Sequence, residues 1–319
     1  MHLVQSMAYV NETPWHGLGT RLEPHQPIEV WAREAGMDWQ VLSADVRFAT
    51  DASDPEQTVP FSDQKVLYRS DSYLPLSVVS KRFQIVQPAE ILEFYRDLTE
   101  IGGFQLETAG VLKEGRKLWA LARTGHSAYL KGGDQVDGYL LLATACDGSM
   151  ATTAQFTSVR VVCNNTLAIA LGDNAGAVKV GHRSQFNAQA VKRQLGIAIS
   201  SWGAFMARIK AMAACAVSDA TAKEFLTGVL ASKAANSSEA VALSERTIQS
   251  VHELYAGKGL GSQFSSSAGT AWGLLNSVTE YVDHHRRSHS PDHRRDAAWF
   301  GQGSAIKQRA WEASLKLVA

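Results

Sequence analysis

A chain of 319 residues with 45% hydrophobic content can bury a sizeable core, as one large domain or two smaller ones. Its 31 basic and 31 acidic residues cancel, which speaks against the basic excess usual in nucleic-acid binders, and its three widely spaced cysteines fit the reduced thiols of a cytoplasm. The chain has no run of about 18 apolar residues and no charged-then-apolar N-terminal signal, so no membrane span is expected.

The first 60 residues read as irregular, punctuated by Pro14, Gly17, Gly19, Pro24 and Pro27. A short helix is predicted from Pro27 to Ala35, and Asp51 to Pro60 reads as an exposed loop. Lys65–Ser70 and Leu74–Ser80 are strand-like, with a polar turn at Asp71–Ser72. Pro88 to Glu100 is predicted helical: proline opens it, Ile91, Leu92, Tyr95 and Leu98 share a face, and Gly102–Gly103 stops it. Strands are predicted at Phe104–Leu112, Leu118–Arg123, Asp137–Ala145 and Ala151–Val162, with Asp147–Gly148 as a hairpin turn. An alanine-rich helix is expected after Asn164 or Asn165, either of which suits an N-cap. From Ser184 the period is helical, over Gln185–Ala214, Asp219–Leu230, Ser238–Tyr255, Ala268–His284 and Arg295–Val318. The expected fold is α+β. A β-rich domain over 1–183 contains antiparallel sheet with helices in a β-β-β-α core, and 184–319 is helical.

Charge is unevenly distributed. Residues 1–125 are net −5, residues 126–215 net +4 and residues 216–319 net +1, and Asp173 is the one acid between Met150 and Val217. Arg160, Lys179, Arg183, Lys192, Arg193, Arg208 and Lys210 fall among Phe156, Phe186, Trp202 and Phe205. Cations interleaved with rings suit a single-stranded nucleic-acid groove, in which cations follow phosphates and rings stack on bases. The competing account is an amphipathic helix with core aromatics and solvated charges. The stretch Thr157–Leu167 (TSVRVVCNNTL) reads as part of a binding element, with Arg160 rather than Cys163 as its active member.

Other clusters carry less. His16 in Trp15–Gly19 has no spaced partner, and a packed tryptophan beside close-approach glycines explains the motif. His284, His285, His289 and His293 lie among four arginines without a cysteine, so a solvated basic loop is favoured over a metal site. Cys163 lacks an activating histidine nearby in sequence. Gly301–Gln302–Gly303 is an ordinary two-glycine turn, and the chain has no phosphate loop, dinucleotide fingerprint, zinc-protease motif or nucleophile elbow. No catalytic residue, metal or cofactor is expected.

Pro14–Thr20 (PWHGLGT), Glu107–Ala122 (ETAGVLKEGRKLWALA), Asp137–Leu171, Thr270–Arg287 and Phe300–Trp311 occur together in this order. In this the chain resembles the phage/plasmid-like protein family, a domain of unknown function carried by phages, prophages and plasmids. That resemblance implies a biological setting and no reaction. At fold level the strand succession followed by a helix is similar to the β-β-β-α core of single-strand annealing proteins of the Rad fifty-two type. The similarity implies a non-enzymatic, homo-oligomeric single-stranded DNA-binding protein of a ring-forming type, in the cytoplasm of a bacterial host. Arg160, Lys179, Arg183, Lys192 and Arg193 would contact phosphates, and Phe156 or Phe186 would stack on bases. The alternative is a protein-binding module that neutralises a host defence factor.

Overall fold

A computed structural model describes residues 4–11, 19–100, 102–160, 165–168, 177–199, 202–230, 245–289 and 291–319. In chain order the elements are β1 (Val4–Tyr9), β2 (Thr20–Arg21), α1 (Ile28–Glu34), β3 (Val41–Ala49), β4 (Thr58–Arg69), β5 (Pro75–Ser80), α2 (Pro88–Glu100), β6 (Gln105–Leu112), β7 (Lys117–Leu130), β8 (Asp134–Ala145), β9 (Thr152–Arg160), β10 (Asn165–Ala168) and β11 (Ala177–Val180). Then come α3 (Ala188–Ile199), α4 (Trp202–Ala214), α5 (Asp219–Leu230), α6 (Glu245–Glu253), α7 (Ala271–Glu280), α8 (Pro291–Phe300) and α9 (Gln302–Leu317). The protein is α+β, with antiparallel sheets and helices towards the N-terminus and a helical C-terminal region.

Among the described residues the larger sheet runs β10-β9-β8-β7-β6-β1-β2, with β11 also on β9; the smaller runs β3-β4-β5. The chain divides into two compact units. One comprises 1–125, 139–156 and 177–197, and the other 126–138, 157–176 and 198–319.

In the first unit α2 forms where its sequence demands. Pro88 opens the helix, Glu90 Oε2 accepts from the Gln87 N–H at 2.7 Å as in a capping box, and Gly103 takes φ +70 just beyond the end. Its apolar face buries Ile91, Leu92, Phe94 and Tyr95. The Tyr95 hydroxyl lies 2.9 Å from the carbonyls of both Ala120 and Leu140, which fixes α2 across β7 and β8. Gly110 on β6 has no room for a side chain: an added Cβ meets the Trp119 ring, the Ser6 carbonyl at 2.6 Å and Met7 Cβ at 2.7 Å. The turn between β8 and β9 centres on Asp147–Gly148, with Gly148 at φ +71 and Asp147 Oδ1 accepting from the Ser149 N–H.

In the second unit every residue of α7 is buried, and Thr270 caps it by accepting from the Gly273 N–H at 3.1 Å. Asp134 is fully buried and accepts from Ser266 Oγ at 2.7 Å and Trp272 Nε1 at 3.1 Å. Lys307 and Asp283 form a buried ion pair at 2.8 Å.

Several expectations are corrected. The N-terminal 60 residues are not irregular: β1, β2, β3 and the start of β4 lie there. Residues 165–168 are strand, not helix, because they pair antiparallel with β9 from Asn165↔Arg160 to Ala168↔Thr157. Asn165 is therefore no helix cap, and the strand ladder overrides local helix preference. Pro291 begins α8, where its missing N–H costs nothing, so no single helix carries His285, His289 and His293, and the expected 295–318 helix is two, separated at Gly301. Trp15, His16, Cys163, Asn164 and the 238–244 part of the expected 238–255 helix lie outside the described residues.

Candidate nucleic-acid interface

The basic middle segment begins on β11, which pairs antiparallel with β9 from Ala177↔Gln155 to Val180↔Thr152. The next turn is pinned by His182. Its ring stacks on Phe83 with centroids 4.3 Å apart and planes 13° from parallel. Its Nδ1 lies 3.0 Å from the Gln84 carbonyl and its Nε2 3.1 Å from the Met150 carbonyl. A carbonyl only accepts, so a neutral ring donates to one of the two and a charged ring to both. The Gln84 N–H donates back to the His182 carbonyl at 2.6 Å.

Helix α3 is held to α2 in turn. Lys192 Nζ donates to Asp97 Oδ1 at 2.6 Å and lies 5.2 Å over the Phe94 ring; Gln189 Nε2 also reaches Asp97. The hydrogen bond from Lys192 holds the Asp97 carboxyl below the usual carboxylate range. Val191 and Leu195 bury the inner face of α3.

These anchors sort the expected site residues. Lys179 on β11, Arg183 in the turn and Arg193 on α3 are exposed, and among the described residues none of them pairs with an acid. Lys192 is spent on Asp97, so it is a positioning residue and not a phosphate contact. Phe156 is 4% exposed and belongs to the core, so it cannot stack on a base. Phe186 is half-buried with its ring 6.3 Å from Phe94, packing α3 onto α2. Arg160 ends β9 opposite Asn165; its side chain lies outside what the structure describes. Arg208, Lys210, Trp202 and Phe205 sit on α4 in the second unit. There Phe205 is buried and stacks on Trp311, and Trp202 stacks on His126.

Sequence reading missed Arg82. It is exposed, without an acidic partner among the described residues, and it directly precedes the Phe83 that stacks on His182. Nothing local signals this, because the contact joins segments a hundred residues apart in the chain. The first unit also holds an open cleft of about 500 Å³ lined by Trp31, Arg96, Glu100 and Glu107. Its one cation is already committed, since Arg96 donates to Glu29 and Glu93. Among the described residues no group of three or more His, Cys, Asp or Glu is placed to hold a metal, and no helix is long and apolar enough to cross a membrane.

The arrangement defines an α+β protein in which β11, paired with β9 in the larger sheet, and the following turn and helix α3 carry exposed cations without acidic partners among the described residues. The chain belongs to the DUF932 family, a domain of unknown function, whose model matches residues 75–299. No curated protein and no solved structure matches the chain.

Proposed function

We propose that this chain is a single-stranded DNA-binding protein of phage or plasmid recombination, acting as a homo-oligomer that promotes strand annealing by binding and not by catalysis. The observation that carries the reading is the set of exposed cations Lys179, Arg183 and Arg193, without an acidic partner among the described residues and anchored by the His182 stack and the Lys192–Asp97 pair. Arginine forks match phosphate oxygens, and fixed cations along a strand release counterions from the nucleic-acid backbone. Binding would therefore rest on phosphates, with base stacking by Phe156 removed from the account. The test is fluorescence anisotropy with a labelled oligonucleotide across a salt series. Salt-dependent binding weakened by Lys179→Ala, Arg183→Ala and Arg193→Ala supports the reading; no binding at low salt overturns it.

A second reading, a protein-binding module that neutralises a host factor, is favoured by the exposed aromatic and aliphatic side chains Phe48, Phe61, Tyr73 and Val78. Affinity purification that returns one stoichiometric host protein and no nucleic acid would favour it.

A further inference from the structure

The smaller sheet has two unlike faces. Strand alternation puts Leu67, Val41, Val79 and Arg69 on its inner side, all buried. On the outer side the register places Val66 between Ala44 and Val78, and Tyr68 opposite Leu42. Gln64 and Ser80, opposite each other, end this face. It carries no charged residue, although an antiparallel sheet with one wet face is expected to be polar on that face. Val78 is 54% exposed.

Tyr73 extends the surface at a cost. It is 76% exposed and takes φ +55, a left-handed conformation that a tyrosine seldom adopts. This backbone stacks its ring on Tyr68, with centroids 6.5 Å apart. At the other end β3 and β4 run on as a two-stranded arm past a bulge, where Asp45 faces Lys65 but Arg47 faces Pro60. The arm exposes the cross-strand pair Phe48–Val59.

We propose that this outer face is a self-association surface, on which a second copy of the chain packs face to face about a two-fold axis. Charge selects the occupant. A two-fold contact sets a patch against itself, so it needs a patch without net charge. Residues 1–125 are net −5, and the arm tip carries Asp51, Asp54 and Glu56, so self-contact over such a surface sets acid against acid. The outer sheet face avoids this, and its lack of cations disfavours a polyanion there. Area sets the strength. Three strands overlap over about five residues, from Val41 to Asp45 on β3, a rectangle of about 17 by 14 Å. That is smaller than the roughly 800 Å² each partner gives to a standard interface. With Tyr73 it suits a weak, reversible dimer, not an obligate one. This inference does not rest on DNA binding.

The experiment is sedimentation velocity of the full chain from about 1 to about 100 µM, a range that brackets a reversible interface of this size. The wild type is expected to move from 34.6 kDa to twice that mass as concentration rises. Val78→Asp puts a charge into the face and should weaken association more than about 100-fold. Tyr73→Gly removes the ring while relieving the left-handed backbone, so it does not threaten the fold. It should weaken association about tenfold. A wild type that stays at 34.6 kDa throughout overturns the proposal, as does association unchanged by both substitutions. Oligonucleotide anisotropy on the same variants at low concentration keeps the two readings apart, since Lys179, Arg183 and Arg193 lie outside this sheet.

Discussion

Raising the pH should destabilise the first unit through one buried thiol. Cys146 closes β8 with its N–H donating to the Arg116 carbonyl at 2.7 Å and its own carbonyl accepting from Ser77 Oγ at 2.7 Å. Burial, helped by the neighbouring Asp147 carboxylate, pushes its thiol from 9.0 up to about 12. The unfolded chain therefore loses this proton first, and unfolding is favoured as pH climbs. The contribution is intact below about pH 9 and is lost at about 1.4 kcal/mol per pH unit towards pH 12. At about pH 11 the loss amounts to about 2.7 kcal/mol, and a folded value one unit lower would still give about 2.3 kcal/mol. Urea unfolding followed by circular dichroism at about pH 8 and pH 11 measures it. Cys146→Ala is the reference, since Tyr95, whose hydroxyl burial pushes well above the ordinary tyrosine value, titrates in both proteins and cancels. The wild type should lose about 2–3 kcal/mol more than Cys146→Ala between the two pH values. Equal losses would refute the reasoning.

Other substitutions separate binding from folding. Lys179→Ala, Arg183→Ala and Arg193→Ala should each lower the salt slope of oligonucleotide binding by about 0.7, and Lys192→Met should leave it unchanged while costing about 1 kcal/mol of stability. Phe156→Ala should cost about 3–5 kcal/mol in urea unfolding through the cavity it leaves, with no selective effect on DNA affinity. Trp272→Phe withdraws a donor from the buried Asp134 carboxylate and should cost about 1–3 kcal/mol in the second unit, measured as a lowered thermal midpoint. Gly110→Ala forces a Cβ against the Ser6 carbonyl and the Trp119 ring and should lower the melting temperature by several degrees.

What the sequence revealed follows the range of the interactions involved. Helix α2 was legible to the residue because its proline start, apolar stripe and glycine stop are all local. The β8–β9 turn was legible because Asp-Gly chemistry is local too. Strand β3 was not, because Val41 alone of its nine residues is buried, so the alternation that marks a half-buried strand is missing. Strand β9 (Thr152–Arg160) misled in the opposite sense. Its threonines and serine look solvated, yet Thr152, Thr153, Thr157 and Ser158 are buried, with Thr152 and Thr144 hydroxyls bonded at 2.8 Å. Phe156, which the interleaving of rings and cations marks as a stacking candidate, is buried among them. Lys192 and Arg193 are chain neighbours of one charge, and only Asp97, far away in sequence, distinguishes the anchor from the free cation.

If the chain binds a single strand and pairs through its smaller sheet, as proposed, its zero net charge conceals a division of labour within the first unit. The family match over 75–299 contains Lys179, Arg183 and Arg193, whereas the arm and most of the outer sheet face precede it. A few exposed cations bind a single strand weakly at physiological salt, because each phosphate contact is separately screened. Joining two copies through an uncharged face leaves those cations available and makes the second engagement intramolecular, at an effective concentration set by the separation of the sites. An acidic or basic association surface would not serve as well, since it would compete with the nucleic acid or repel it. The absence of charge on Leu42, Ala44, Val66, Tyr68 and Val78 would then be the physical condition under which the proposed self-association and strand binding strengthen each other.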